Sequence, residues 1–359
     1  MGSLLGQLMS FTKPALVGLD IGSSSVKLLC LHRENGEYTV TSAACVTIDD
    51  AQDPQTSREN TIMAIRSCLK IAECPACTYA VCGVEGPDVA VRGFSFPPLP
   101  QQALERAVHL EAQQVCPFDI TQSRVDYQEL SDQPSSERLK EKVFKRKGYM
   151  VAGTSDVVSH KTDLTGETAV KTVLVDSNGL AALNCLCQLQ ETESSDSFAV
   201  LDVGYNLTNL SILGSDGVPF VRDLPYAASH VYSQIAARRQ ITPERVRQLL
   251  VKEGNDPDPS LRDDMEQTCS KLIADVNETL RYYTLQEHTG QVQRIWLCGG
   301  FALIGGFVKV LEKSLLAPVQ VFDPFEKMRL QVGPTAQILL KTNGPALTVA
   351  AGLAMRSID

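Results

Sequence analysis

Residues 17–44 read VGLDIGSSSVKLLCLHRENGEYTVTSAA, and residues 200–228 read VLDVGYNLTNLSILGSDGVPFVRDLPYAA. The two stretches keep one spacing: Asp20 and Asp202, Gly22 and Gly204, and Leu28 and Leu210 are each 182 positions apart. In both, an apolar strand ends in Asp-x-Gly, then come a polar turn, a second apolar strand, a glycine turn and a third strand. The second turns, Asn35-Gly36 and Asp216-Gly217, are strong hairpin signals because both dipeptides tolerate positive φ. The pattern predicts two three-stranded meanders, each opening one of two related α/β domains. A spacing of half the chain is too long for a solenoid, whose units run about 20–50 residues.

Periodicity outside the repeat predicts helices over 57–74, 100–115, 177–189, 243–252, 261–287 and 306–316. Thr242 is the expected N-cap of the fourth, with Pro243 at its first position. Strands are expected over 124–130, 148–153, 172–175 and 294–298. Between them, 131–147 holds six basic residues and reads as a solvated loop or hairpin connection.

The chain of 359 residues is 43% hydrophobic and 21% charged, an ordinary globular composition. Its net charge of −9 argues against nucleic acid held on a basic face. The longest uncharged apolar run, Ile295 to Val308, has 14 residues and four glycines. That falls short of the roughly 20 a spanning helix needs. The start, MGSLLGQLMSFTK, has neither a basic n-region nor a cleavage site, and its position 6 is Gly, which breaks the myristoylation pattern. Eleven cysteines, many in apolar runs such as those of Cys30, Cys45, Cys82, Cys185 and Cys298, are expected to be reduced. Cys74 and Cys77 form one CxxC without the second pair a structural zinc site needs.

The Asp-x-Gly turns carry the chemistry. A glycine at the strand end lets a ligand approach closely. In the first copy Gly22, Ser23, Ser24 and Ser25 offer successive N–H groups and hydroxyls, a nest for phosphate oxygens, and Lys27 adds a point charge. In the second copy Gly204, Asn206, Thr208 and Asn209 make the equivalent turn. Asp20 and Asp202 suit Mg²⁺ held through water. Two such hairpins facing each other would clamp a triphosphate. A third element runs from strand 294–298 into Gly299, Gly300, Phe301, Ala302 and Leu303, where paired glycines let a base or ribose lie close to the backbone.

In this order the three elements resemble the phosphate 1, phosphate 2 and adenosine motifs of the actin, Hsp70 and sugar-kinase superfamily. More closely, the chain resembles the PilM family of type IV pilus assembly proteins. The matching stretches are Leu19 to Lys27; Glu105, His109, Gln113, Pro117 and Phe118; Asp202 to Ile212, followed by Arg222, Asp223 and Pro225; Leu297 to Phe307; and Ala350 to Arg356. Cys116 replaces an aliphatic residue of the family, and Phe301 replaces a small one in a position that would narrow the base pocket.

The resemblance implies an α/β, actin-like (ribonuclease H-like) fold of two lobes. Lobe 1 would hold residues 1–197 with 341–359 and carry a small inserted subdomain at about 88–165, as in the cell-division relative FtsA. Lobe 2 would hold 198–340, with a helical subdomain at about 241–290. ATP and Mg would bind in the cleft, with Glu278 and Arg281 facing the nucleotide and hydrolysis slow or absent. The implied role is a cytoplasmic scaffold at the inner membrane that holds the N-terminal tail of PilN, with PilO and motor ATPases as further neighbours. Membrane contact would run through these partners alone. The peptide would lie between the lobe 1 core and the insertion, which carries Phe94, Phe96, the 101–115 helix and Pro117-Phe118. Competing roles for the same fold are an ATP-dependent filament and a small-molecule kinase, and the fold does not choose between them.

Overall fold

The computed structural model describes residues 16–75, 78–130, 145–190, 197–252, 258–286 and 290–356. The N-terminal segment, Cys77 and most of the basic stretch lie outside them.

The chain begins with the expected meander, β1 (Leu16–Ile21), β2 (Ser25–Glu34) and β3 (Glu37–Thr47). Asn35 and Gly36 turn the second hairpin at φ 51° and 85°. Helix α1 (Pro54–Ile71) follows. It starts three residues ahead of the sequence expectation because the Asp53 carboxylate accepts from Thr56 N at 2.9 Å and Pro54 fits the first turn. Next come β4 (Thr78–Val84), β5 (Val89–Phe96), α2 (Gln101–Val115), β6 (Ser123–Glu129) and β7 (Arg146–Thr154). The chain then forms α3 (Ser155–Gly166), β8 (Val170–Ser177) and α4 (Asn178–Leu189).

The second copy repeats the opening as β9 (Phe198–Val203), β10 (Thr208–Leu213) and β11 (Pro219–Leu224). Helices α5 (Ala228–Arg239), α6 (Pro243–Lys252) and α7 (Pro259–Gln286) follow. After β12 (Arg294–Cys298) comes a 3-10 turn (Gly300–Leu303), and the helix α8 (Phe307–Glu312) then ends four residues short of the expected 316, capped at Lys313. The remaining elements are β13 (Val319–Val321), β14 (Arg329–Leu330), α9 (Pro334–Asn343) and α10 (Thr348–Ala354).

The two main sheets share one topology. The first has the order β14-β3-β2-β1-β4-β8 and the second β11-β10-β9-β12-β13. In each, the meander is antiparallel and the next two strands add in parallel on its far side. Register is conserved with the repeat: Asp20 stands opposite Lys27 and Asp202 opposite Asn209. The third sheet, β5-β7-β6, is the insertion, with Leu104, Val108 and Ala112 of α2 buried against Phe94 and Met150. Helix α3 packs on β8 and α1 of the first sheet. Because β14 pairs with β3, the chain has rejoined the first sheet by residue 329, ahead of the position 341 expected from sequence.

The two main sheets are joined by a shared core. Leu180, Ala181 and Leu186 of α4 and Ala350, Ala351 and Leu353 of α10 lie buried between Leu29 and Val81 on one side and Val200 and Trp296 on the other. Two glycines allow this approach. A Cβ on Gly18 of β1 would lie 2.1 Å from the Ala350 carbonyl oxygen, and one on Gly352 would lie 1.8 Å from that of Ala181. The ten cysteines among the described residues are free thiols; Cys82, Cys185 and Cys298 are buried, and Cys30 and Cys45 half-buried.

Candidate functional site

The two Asp-x-Gly turns meet at one cleft. Each is closed in the same way: Gly22 N donates to Ser25 O at 3.1 Å and Gly204 N to Leu207 O at 3.0 Å. The cleft is lined by Asp20, Gly22, Ser23, Ser24, Ser25 and Lys27 from the first copy and by Asp202, Gly204 and Asn206 from the second. Gly299 and Gly300 complete it from the turn after β12. It offers about 480 Å³, counting its open mouth. Side chains at the glycines would fill the cradle: a Cβ on Gly204 would lie 2.8 Å from Leu207 O.

Several residues expected at the site do not line it. Thr208 is buried and donates to Tyr226 O at 2.8 Å. Asn209 donates to the Asp223 carboxylate at 2.7 Å, and Asp223 accepts from Gly86 N, also at 2.7 Å, so this pair ties the second sheet to the loop after β4. Ala302 is buried with Phe301 in the core packed on the second sheet. Phe301 packs on Phe307 at 4.6 Å and Tyr232 at 5.6 Å, so it does not narrow the cleft. Leu303 is half-buried away from the lining, and Glu278 and Arg281 are exposed on α7.

Other residues also line the cleft. Glu85 follows β4, Asn178 opens α4, Ala346 lies in the 3-10 turn (Gly344–Leu347) ahead of α10, Val349 lies in the first turn of α10, and Tyr205 and Leu207 come from the second Asp-x-Gly turn. Their separation in sequence leaves no local spacing to find them by, except for Tyr205 and Leu207, which correspond to Ser23 and Ser25 in the repeat.

The lining is rich in carboxylates. Lys27 donates to Asp20 Oδ2 at 2.7 Å. Burial works against the Lys27 charge, but the Asp20 carboxylate, that hydrogen bond and Asp202 together hold it above the usual lysine range. Desolvation pushes Asp202 up to about 6, with Lys27 opposing and Asp20 and Asp223 adding. Desolvation pushes Glu85 up to about 7, opposed by the Asn178 amide and reinforced by Asp202, Asp20 and Asp223. Among the described residues no group of three His, Cys, Asp or Glu side chains is placed to hold a metal directly. The carboxylates instead face a space that suits a hydrated cation.

The Glu85 shift has a measurable consequence. Its carboxyl rises from 4.5 to about 7 on folding, so the native state keeps a proton that the unfolded chain releases. Stability from this group is fully present below pH 4.5 and is lost as the pH climbs to about 7. Glu85→Gln is therefore expected to stabilise the protein at pH 8 by about 3 kcal/mol and to leave it nearly unchanged at pH 4.5. Urea unfolding at the two pH values checks this; equal effects at both would refute the burial cost.

A family model described as type IV pilus assembly protein PilM matches residues 18–358. Among solved structures, the chain is similar to the PilM-PilN type IV pilus biogenesis complex, with a TM-score of 0.79 and 22% identity over 96% of this chain and 99% of that one. It is similar to the ethanolamine utilization protein EutJ from Carboxydothermus hydrogenoformans, with a TM-score of 0.57 and 13% identity over 96% and 90% of the two chains. A glycerol dehydratase reactivase gives a TM-score of 0.52 and 10% identity over 95% and 99%. The expected α/β, actin-like fold is borne out.

Proposed function

The chain belongs to the type IV pilus assembly protein PilM family, and from that premise we propose that it is an ATP-binding scaffold of a pilus assembly complex, holding the N-terminal tail of a PilN-type protein. The observation that carries the nucleotide part is the pair of identically closed turns facing one cleft. The backbone N–H groups and hydroxyls of Ser23, Ser24 and Ser25, and the backbone of Gly204 to Leu207, would hold the phosphates. Gly299 and Gly300 leave room for the base or ribose. Asp20, Asp202 and Glu85 outnumber Lys27 in the lining, so a triphosphate would enter as its Mg complex, with Asp20 and Asp202 holding the ion through water. Glu278 and Arg281 take no part in this reading.

The partner part is supported by the similar PilM, whose structure is a complex with PilN. The seam between the first sheet and the inserted one is the place for an extended peptide. Phe94 does not line it, being buried in the insertion's own core and stacked on Phe96 at 5.2 Å. The seam side is more polar: Arg356 pairs with Asp176 at 2.6 Å, and Tyr149 of β7 lies within reach of both charges. Backbone pairing would supply affinity there, and side-chain pockets specificity. No helix among the described residues is long and apolar enough to cross a membrane, so contact with the inner membrane from the cytoplasm would run through PilN and its neighbours.

Calorimetric titration of the full chain with a PilN-type N-terminal peptide tests the reading. Binding in the micromolar range, with or without Mg-ATP, is expected. No heat in either condition would overturn the scaffold assignment.

A further inference from the structure

We propose that Lys161 is a positioning residue for the first phosphate turn, tying that turn to the inserted sheet; the inference rests on the nucleotide reading above. The Lys161 ammonium donates to the Ile21 carbonyl oxygen at 2.6 Å. Ile21 ends β1 and directly precedes Gly22, the first residue of the turn. The same ammonium lies in the field of Asp20 and Glu85, both of which line the cleft. Lys161 is thus a second cation beside the turn, held on the carbonyl that precedes it and outside the cleft lining, whereas Lys27 belongs to the lining.

Its partner is what singles it out. A desolvated ammonium is costly unless an anion compensates it. Here burial lowers the Lys161 pKa, Asp20 and Glu85 only partly oppose that, and the direct hydrogen-bond acceptor is a neutral backbone oxygen. Asp20 is already engaged by Lys27. An anion arriving on the turn would complete the compensation, so the arrangement is poised for a phosphate.

The other end of the connection is mechanical. The central strand of the inserted sheet, β7, runs without a break into α3. Thr154, its last residue, caps the helix by accepting from Val157 N at 3.3 Å and donates its own N–H to Asp88 O at 3.0 Å. Lys161 lies about two turns into that helix. The far end of α3 is held on α1, where Arg66 donates to Glu167 O at 2.7 Å and Arg58 pairs with the Glu167 carboxylate at 2.5 Å. A shift of the inserted sheet therefore tilts α3 about its α1 anchor and moves the Ile21 carbonyl, and the turn with it.

The test uses the full chain as wild type, Lys161→Met and Lys161→Arg. Each is titrated with Mg-ATP, and with a PilN-type N-terminal peptide in the absence and presence of Mg-ATP. Lys161→Met is expected to weaken Mg-ATP about tenfold, the loss of one charged hydrogen bond. It should leave peptide affinity without nucleotide unchanged and bring the ratio of the two peptide affinities to one. Lys161→Arg should restore part of both effects. Unchanged Mg-ATP affinity in Lys161→Met would overturn the proposal. So would equal weakening of the peptide in both conditions with a lower melting temperature, the mark of a merely structural lysine, or a wild-type peptide affinity insensitive to Mg-ATP. A wild type that binds the peptide but no Mg-ATP would overturn the nucleotide reading itself, and the proposal with it.

Discussion

Nucleotide-free protein mixed with millimolar Mg-ATP is expected to melt roughly 5 °C higher, and Asp202→Asn to lose most of that gain. A ligand that binds only the native state stabilises it by RT ln(1 + [L]/Kd), about 2.7 kcal/mol at a hundredfold excess over Kd. For a chain of this size each kcal/mol moves the midpoint by about 2 °C. Asp202 is the better probe of the two aspartates. Asp20 pairs with Lys27, so its removal strands a buried ammonium and destabilises the protein before any ligand arrives. Among the described residues Asp202 makes no such pair, and desolvation holds its carboxyl up at about 6. Its ionised form is therefore a cost to the empty protein above that pH, and the neutral amide removes the cost. The empty variant should melt no lower than wild type at pH 8, while the response to Mg-ATP disappears. Opposite signs in the two measurements separate a lost ligand contact from a damaged fold. A wild-type melting curve that Mg-ATP leaves unmoved would remove the nucleotide from the reading.

Gly352→Ala is expected to cost about 4 kcal/mol, in the range reached when backbone must move to admit a side chain. The added Cβ would lie 1.8 Å from the Ala181 carbonyl oxygen, and 2.4 Å from the carbon that bears it. Neither atom belongs to a flexible side chain, so α10 or α4 must shift as a body. Both helices pack the core shared by the two main sheets, so the damage reaches both. The midpoint should fall by roughly 8 °C. Gly166→Ala is the control, because nothing lies within 4 Å of a Cβ there. It should change stability by less than about 1 kcal/mol. Equal midpoints for the two variants would contradict the close packing of α4 and α10.

What could be read from sequence follows the range of the interactions. Asp20 and Gly22, or Asp202 and Gly204, lie within one turn, and Asn35-Gly36 makes its hairpin locally, so the meanders and the heart of the site were legible. The strands β13 and β14 were not, since three and two residues carry no period. Helix α3 gives no readable signal because SDVVSHKTDLTG has a weak apolar stripe; only Leu164 and Thr165 are buried on it. Thr208 and Asn209 lie just past the end of the turn. The turn closes at Leu207, and both side chains already belong to β10, where tertiary partners claim them. Glu85 and Asn178 at the cleft, and Lys161 on the Ile21 carbonyl, come from three separate parts of the chain whose meeting depends on the completed fold.

The parallel pairing of β14 with β3 and the seating of α10 on β1 have a consequence for synthesis. Both partners of each pair must have left the ribosome, yet Arg329 pairs with Thr39 across most of the chain. At about 5–20 residues per second, the first meander waits tens of seconds for the segment that covers it. The second meander closes on β12 about 90 residues later, a much shorter wait at the same pace. The second sheet thus closes in less time from its own emergence, and the first stays open to chaperones until β14 and α10 have been made. Slowing elongation between β14 and the end of α10 should lengthen the period in which nascent chains are sensitive to protease at the first sheet, at the synthesis pace used above.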